Sequence, residues 1–314
     1  MAPVSFIMAQ HRKERERYQT WEKGNYHFIT DGWKEGMLFH TLGQYAYGMI
    51  IIGLLTLKFG IRIFSFSLMS NHIHIVLEGT GRACVEAFNY LRLKISRYLV
   101  QDGYPPVPDD YWFKLVPIES DQQFRKEIIY VDRNAFEWQI CIPSGYPWGS
   151  AYLQYSRIGK MIAGTRAGDM SKRELEKLTG SRIPIPPHWE FHPSYGLLPS
   201  SFVDYSVFYR LFPSAKDYQS RLVKDYESYV AVAKALDEVP VFSDEEAGDI
   251  LRSILRDLYG GRRLKELGNI EKGQIVGVLA KTYLMPIAQI AHLLQMSERL
   301  IQQFLRSKDY GKFH

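Results

Sequence analysis

The sequence predicts an α+β fold, an antiparallel sheet with helices on its faces, followed by an all-helical C-terminal region. Three observations predict it. Strand-like and helix-like segments are mixed through the first 136 residues, and two of the strands are close enough in sequence to form a hairpin. Residues 158–200, with Ile183-Pro184-Ile185-Pro186-Pro187, then read as a connector. Beyond it, residues 243–308 carry only short helical patterns.

Residues 1–24 form a charged tail. Its run 11–17 mixes signs and reads as a solvated tail or helix end. Residues 25–30 read as a strand, 41–58 as a helix, 61–69 with 73–79 as the hairpin and 83–100 as a second helix. Asp102-Gly103 and the Pro-containing stretch 104–110 break the chain. A third helix spans 121–136, where Ser120 and Gln123 have capping-box spacing. A short helix is expected near 171–178, and 202–236 reads as mainly helical.

At 314 residues the chain can hold one large or two modest domains. Its 46% hydrophobic and 23% charged content is that of a soluble globular protein. Cys84 and Cys141 lack metal-site spacing and read as buried free thiols in a reducing cytosol, with a disulfide as the alternative. The apolar run 49–57 is short of the ~20 residues that span a bilayer, and no basic-then-apolar leader opens the chain. A cytoplasmic location without membrane contact is the expectation. A net charge of +5 is compatible with a nucleic-acid partner.

Two histidines flank an isoleucine in Asn71-His72-Ile73-His74-Ile75, at the start of a β-branched run. Side chains alternate along a strand, so His72 and His74 would share a face with Ile73 turned into the core. Two neutral imidazoles side by side supply half of a divalent-metal site. Taken alone, the pair also fits a hydrogen-bonded structural role.

In the 121–136 helix, Phe124, Ile128, Val131 and Ala135 draw one apolar stripe. At about 100° per residue, Tyr130 and Asn134 fall roughly 80–120° from it, stacked one turn apart on a flank. The alternative for Tyr130 is a half-buried aromatic whose hydroxyl meets a backbone partner. On the 83–100 helix, Arg92, Lys94 and Arg97 interleave with Tyr90 and Tyr98. Such a face can track phosphates and stack on unpaired bases, or simply be a wet amphipathic face.

The segment 286–305 reads as a helix-turn-helix. Ala291 sits where two helices approach, the turn falls at Gln295-Met296, and Ser297 can cap the second helix. Arg299, Gln302 and Gln303 would then face a DNA groove. The alternative is a helical hairpin that packs on the rest of the protein or on a second subunit.

Five segments, in order, resemble the HUH single-tyrosine transposases, especially the REP-associated tyrosine transposases. They are Tyr26-His27-Phe28-Ile29-Thr30, then Met69-Ser70-Asn71-His72-Ile73-His74, then the basic helix around Tyr90. Tyr130-Val131-Asp132-Arg133-Asn134 and Tyr146-Pro147-Trp148-Gly149-Ser150 complete the set. The resemblance covers residues 25–157. The chain departs from the family at Ser70 and Ala135, where proline is usual, and at Phe136-Glu137-Trp138. The resemblance implies a ferredoxin-like or RRM-like core for 25–157. It also implies metal-dependent cleavage and strand transfer of single-stranded DNA, with Tyr130 as the nucleophile and a 5′-phosphotyrosine intermediate. His72, His74 and Asn134 would hold Mg²⁺ or Mn²⁺. The implied partner is hairpin or element-end DNA, with duplex DNA as a further partner of the 243–314 region, and 158–242 as connector and helical segment. A monomer or homodimer, cytoplasmic and nucleoid-associated, is expected. Two other readings stay open: a catalytically silent, domesticated DNA-binding regulator acting through the helix-turn-helix, and a metallohydrolase that activates water without Tyr130.

Overall fold

The computed structural model describes residues 4–30, 33, 36–134, 145–151, 161–224 and 226–306. Cys141, Ala135, the segment 136–138 and Lys308 lie outside the described residues. The chain divides into two compact units, Met1–Tyr218 and Gln219–His314.

The first unit begins with α1 (Val4–Gln19) and β1 (Gly24–Thr30), followed by α2 (Leu42–Phe59), β2 (Arg62–Leu68) and β3 (Ile73–Gly79). After these come α3 (Gly81–Gln101), β4 (Phe113–Pro117) and α4 (Asp121–Arg133). The sheet order is β2-β3-β1-β4, and each neighbouring pair is antiparallel. A β-α-β-β-α-β order with this pairing is the ferredoxin-like arrangement. β4 went unpredicted for a physical reason. It is five residues long, ends on Pro117 and, among the described residues, pairs only with β1, so it has the character of a short edge strand.

Caps fix where the helices begin. Thr41, Thr80 and Ser120 each accept a hydrogen bond from the backbone N–H three residues on, at Gln44, Ala83 and Gln123. Gln123 Oε1 accepts from the Glu119 N–H rather than from Ser120, one residue further back than the capping-box spacing predicts.

The sheet has two unlike faces. Phe28, Phe66, Leu68, Ile73 and Ile75 join the main core, where α2 and α3 pack. The opposite face carries His27, Ser65, Ser67 and His74, and α4 lies against β2 and β3 there.

α2 is covered twice. Met49, Ile51, Ile52 and Leu55 join the core over the sheet. Ile50 and Leu54 pack with Ala167, Trp189, Phe191 and Leu197. Phe191 and Leu197 belong to a small sheet, β5 (Thr165–Arg166), β6 (Glu190–His192) and β7 (Gly196–Leu197), which Ala167 and Trp189 flank, and α5 (Lys172–Thr179) lies between β5 and β6 in the chain. The segment read as a connector is therefore a packed layer, and its cover is why α2 is apolar on so much of its surface. The apolar run 49–57 is the middle of an 18-residue helix, long and apolar enough by length and composition to cross a membrane. In the fold 56% of that helix is buried inside the protein. Gly196 adopts φ +68, and a side chain there would meet the Ala46 carbonyl oxygen at 2.0 Å, so glycine is needed for the small sheet to reach α2. α6 (Tyr205–Leu211) and α7 (Ala215–Lys224) follow.

In the second unit the described residues form α8 (Tyr226–Leu236), α9 (Asp244–Tyr259), α10 (Asn269–Lys281), α11 (Ile287–Leu294) and α12 (Glu298–Arg306). α10, α11 and α12 pack on one another. The α11–α12 turn passes through Gln295 at φ 53, the left-handed conformation that glycine usually supplies. Ser297 Oγ accepts from the Leu300 N–H at 3.3 Å and so caps α12.

Candidate functional site

The β1–β3 register sets Ile29 opposite His74 and His27 opposite Val76. His27 and His74 are thus diagonal neighbours on the face that α4 covers. Both are fully buried, and His27 Nε2 lies 3.1 Å from His74 Nδ1. The other side of the His27 ring meets α4, where its Nδ1 is 2.7 Å from Glu127 Oε2. His72 lies one residue before β3 and donates Nδ1–H to Asn71 Oδ1 at 2.7 Å, since an amide oxygen only accepts. The His72 and His74 rings meet edge to face with centroids 4.8 Å apart, while Ile73 enters the core.

Burial pushes His72 down to about 4. His74 is held well below the ordinary histidine range, first by burial and then by the repulsion that its protonated form would meet from the His72 and His27 rings. Both rings are neutral at physiological pH, the form in which imidazole ligates a metal. For His72 the donated Nδ1–H places the lone pair on Nε2. This donor chemistry fits a divalent cation.

Tyr130 is 2% exposed, and its ring lies edge-on to His74 and His27, with centroids 5.6 and 5.9 Å away. The flank that carries Tyr130 and Asn134 is not exposed: α4 is buried on all sides from Glu127 to Arg133. Asn134 is 1% exposed and donates Nδ2–H to the Tyr130 carbonyl at 3.0 Å. That bond leaves its Oδ1 as the acceptor end of the amide.

A second polar cluster sits one turn further along α4. Asp132, also buried, accepts from Ser65 Oγ at 3.1 Å and from the Tyr218 hydroxyl at 2.6 Å. Burial pushes this carboxyl up to about 7 against the pull of those two hydrogen bonds. Ser65 Oγ is 3.0 Å from Ser150 Oγ, which accepts from the Phe66 N–H. The Tyr146–Ser150 element is thereby tied to β2. Tyr146 donates to the Leu68 carbonyl, Leu68 donates to the Trp148 carbonyl, and Gly149 approaches the Phe66 carbonyl so closely that a Cβ would stand 2.8 Å from it.

Sequence reasoning passed over His27, Glu127 and Asp132 as site residues. The signals were present. His27 alternates with the core residue Phe28, and Glu127, Tyr130 and Asn134 are spaced three and four, as residues on one helix face must be.

The residues singled out for nucleic-acid contact are placed as follows. Arg92 donates to the Pro108 carbonyl and to Asp109, and Lys94 to the Gly180 carbonyl at the end of α5. Arg97 is exposed. Tyr98 stacks on Tyr47 at 4.5 Å. On α12, Arg299, Gln302 and Gln303 are exposed, while Ile301 and Phe304 face inward.

No protein-family model matches the chain, and no curated protein does. Among solved structures, a REP-associated tyrosine transposase bound to a REP hairpin is similar over 44% of this chain and 82% of that one, with 14% identity and a TM-score of 0.35. At that score the likeness carries no weight for chemistry, which rests on the geometry above.

Proposed function

We propose that the protein is a metal-dependent single-strand DNA nuclease and strand-transferase of the HUH single-tyrosine kind. The observation that carries this reading is the buried packing of the Tyr130 phenol against His74, one of two adjacent histidines, His72 and His74, held neutral. His72 and His74, with Asn134 as third ligand, would hold Mg²⁺ or Mn²⁺. The bound ion supplies Lewis-acid neutralisation of the scissile phosphate. The Tyr130 oxygen forms a bond to phosphorus as the bond from phosphorus to the 3′ oxygen breaks. The phenol loses a proton and the 3′ oxygen gains one, leaving a 5′-phosphotyrosine and a free 3′-hydroxyl. Attack by a second 3′-hydroxyl reverses the exchange, so the chain splits one transfer into two steps.

Hairpin or element-end DNA is the proposed substrate. Arg97, with the remaining hydrogen-bonding capacity of Arg92 and Lys94, would track its backbone, and Arg299, Gln302 and Gln303 on α12 would contact duplex DNA. Residues 25–157 would carry the chemistry and 243–314 the duplex contacts, in a cytoplasmic, nucleoid-associated monomer or homodimer. A second reading draws on the α11–α12 turn and its exposed polar face: a catalytically silent regulator that binds DNA through this hairpin.

The deciding experiment is incubation with single-stranded hairpin DNA and Mn²⁺, followed by denaturing electrophoresis. The wild type should form an adduct that survives denaturation, and Tyr130→Phe should form none while still binding DNA. An adduct from Tyr130→Phe would move the nucleophile elsewhere, and DNA binding without any wild-type adduct would favour the regulator.

A further inference from the structure

We infer that Glu127 and His27 are positioning residues that fix the tautomer of His74 and present its Nε2 lone pair as a ligand. The inference rests on the metal-site reading above and names what orients one of its ligands. An ionised carboxylate only accepts hydrogen bonds, so the 2.7 Å contact from Glu127 Oε2 places a hydrogen on His27 Nδ1. As the imidazole, His27 then carries its lone pair on Nε2. That lone pair, 3.1 Å from His74 Nδ1, accepts a hydrogen from it. His74 in turn carries its lone pair on Nε2. The relay therefore runs Glu127 to His27 to His74, wholly inside the protein, and it gives His74 the same tautomer that Asn71 gives His72. Two separate elements, α4 and the turn before β3, converge on one outcome: adjacent rings with Nδ1 protonated.

A hydrogen-bond partner on the far nitrogen is what orients a metal-binding histidine and raises its basicity. Here the partner is a second histidine rather than the carboxylate itself, which lengthens the relay by one ring. The carboxylate sits on the same helix as Tyr130, three residues before it, so one element places both the nucleophile and the group that orients the ligand.

The test reads the tautomer without metal. Protein with ¹⁵N-labelled histidine, stripped of metal at pH 7.5, is examined by two-bond ¹H–¹⁵N spectra, with His74 assigned through a His74→Gln variant. The expected result is a protonated Nδ1 and a bare Nε2 on His74. Glu127→Gln offers His27 a donor as well as an acceptor, so the relay loses its direction. The His74 signals should then shift toward a mixture of tautomers, with the apparent Kd for Mn²⁺ rising about 10- to 100-fold. His27→Gln, which can still accept from His74 Nδ1 through its amide oxygen, should restore part of the affinity that His27→Leu removes. A proton on His74 Nε2 in the wild type would overturn the inference, as would an unchanged tautomer in Glu127→Gln. Wild-type protein with the expected tautomer but no Mn²⁺ affinity would instead refute the metal-site reading while leaving the relay intact.

Discussion

Replacing Asp132 by asparagine should change the stability of the first unit in a way that depends on pH. The carboxyl is buried between Ser65 and Tyr218, and its folded-state value of about 7 stands above the 3.8 of an exposed aspartate. Between those two values the folded protein keeps a proton that the unfolded chain has released. The stabilisation is complete below pH 3.8 and is lost as pH rises through about 7. At about 1.4 kcal/mol per tenfold difference in acidity, the loss amounts to about 4 kcal/mol. Asparagine carries no titrating proton, so the variant should gain on the wild type by about 1.4 kcal/mol for each pH unit climbed between roughly 4 and 7. The buried histidines act in the opposite sense. Their depressed values make the fold lose stability as pH falls below about 6.5, toward about 4 for His72. They are common to both proteins and cancel in the comparison. Urea denaturation from pH 4.5 to 8.5 measures the difference. All six tryptophans (Trp21, Trp33, Trp112, Trp138, Trp148 and Trp189) belong to the first unit, so their fluorescence isolates its transition. A stability difference that stays constant across this range would refute the buried, proton-retaining carboxyl.

Three further outcomes follow from other parts of the fold. Gln295→Gly should stabilise the second unit by about 1 kcal/mol, because Gln295 holds a left-handed conformation that glycine adopts freely; far-UV circular dichroism melts would show it, and an unchanged midpoint would argue against that turn geometry. Arg299→Ala with Gln302→Ala should weaken duplex binding and lower its salt dependence by about one ion, read by fluorescence anisotropy at several salt concentrations; unaltered binding would make α12 a structural helix. His72→Ala should weaken Mn²⁺ binding at least tenfold by calorimetry, and an unaltered affinity would remove His72 from the ligand set.

Much of the first unit was legible because it follows local rules. The period-two runs placed β1, β2 and β3, and the cap read at Ser120 stands at the start of α4. The turn at Gln295 and the cap at Ser297 were equally visible. What escaped the sequence depends on contacts far apart in the chain. The short strand Phe113–Pro117 exists because β1 offers it an edge. The layer formed by residues 165–197 looks like a connector until α2 supplies its partner surface. His27 and Glu127 are 100 residues apart, and no spacing rule joins them; only the strand register and the placement of α4 do. The apolar stripe on α4 marked one buried side, and polar groups on the sheet allow the other side to be buried as well.

That polar face is the strongest pointer to chemistry in the molecule. A helix laid on a sheet is held most simply by apolar side chains, and a buried charged pair is often no better for stability than a well-packed hydrophobic replacement. Here α4 instead buries Glu127 and Asp132, each with its own partner on the sheet, His27 and Ser65, and with Tyr130 between them. Every partner must be in place, since a buried polar group left unmatched costs about 1–3 kcal/mol. Departures of this kind from the simple packing rule concentrate where a protein does chemistry. The two clusters also differ in kind. Asp132 meets only hydroxyls and serves to lock α4 and the Tyr146–Ser150 element to β2. Glu127 meets an imidazole that meets another imidazole, and that line ends at the nitrogen a metal would use. Substituting Asp132 should therefore be felt mainly in stability, and substituting Glu127 mainly in metal affinity.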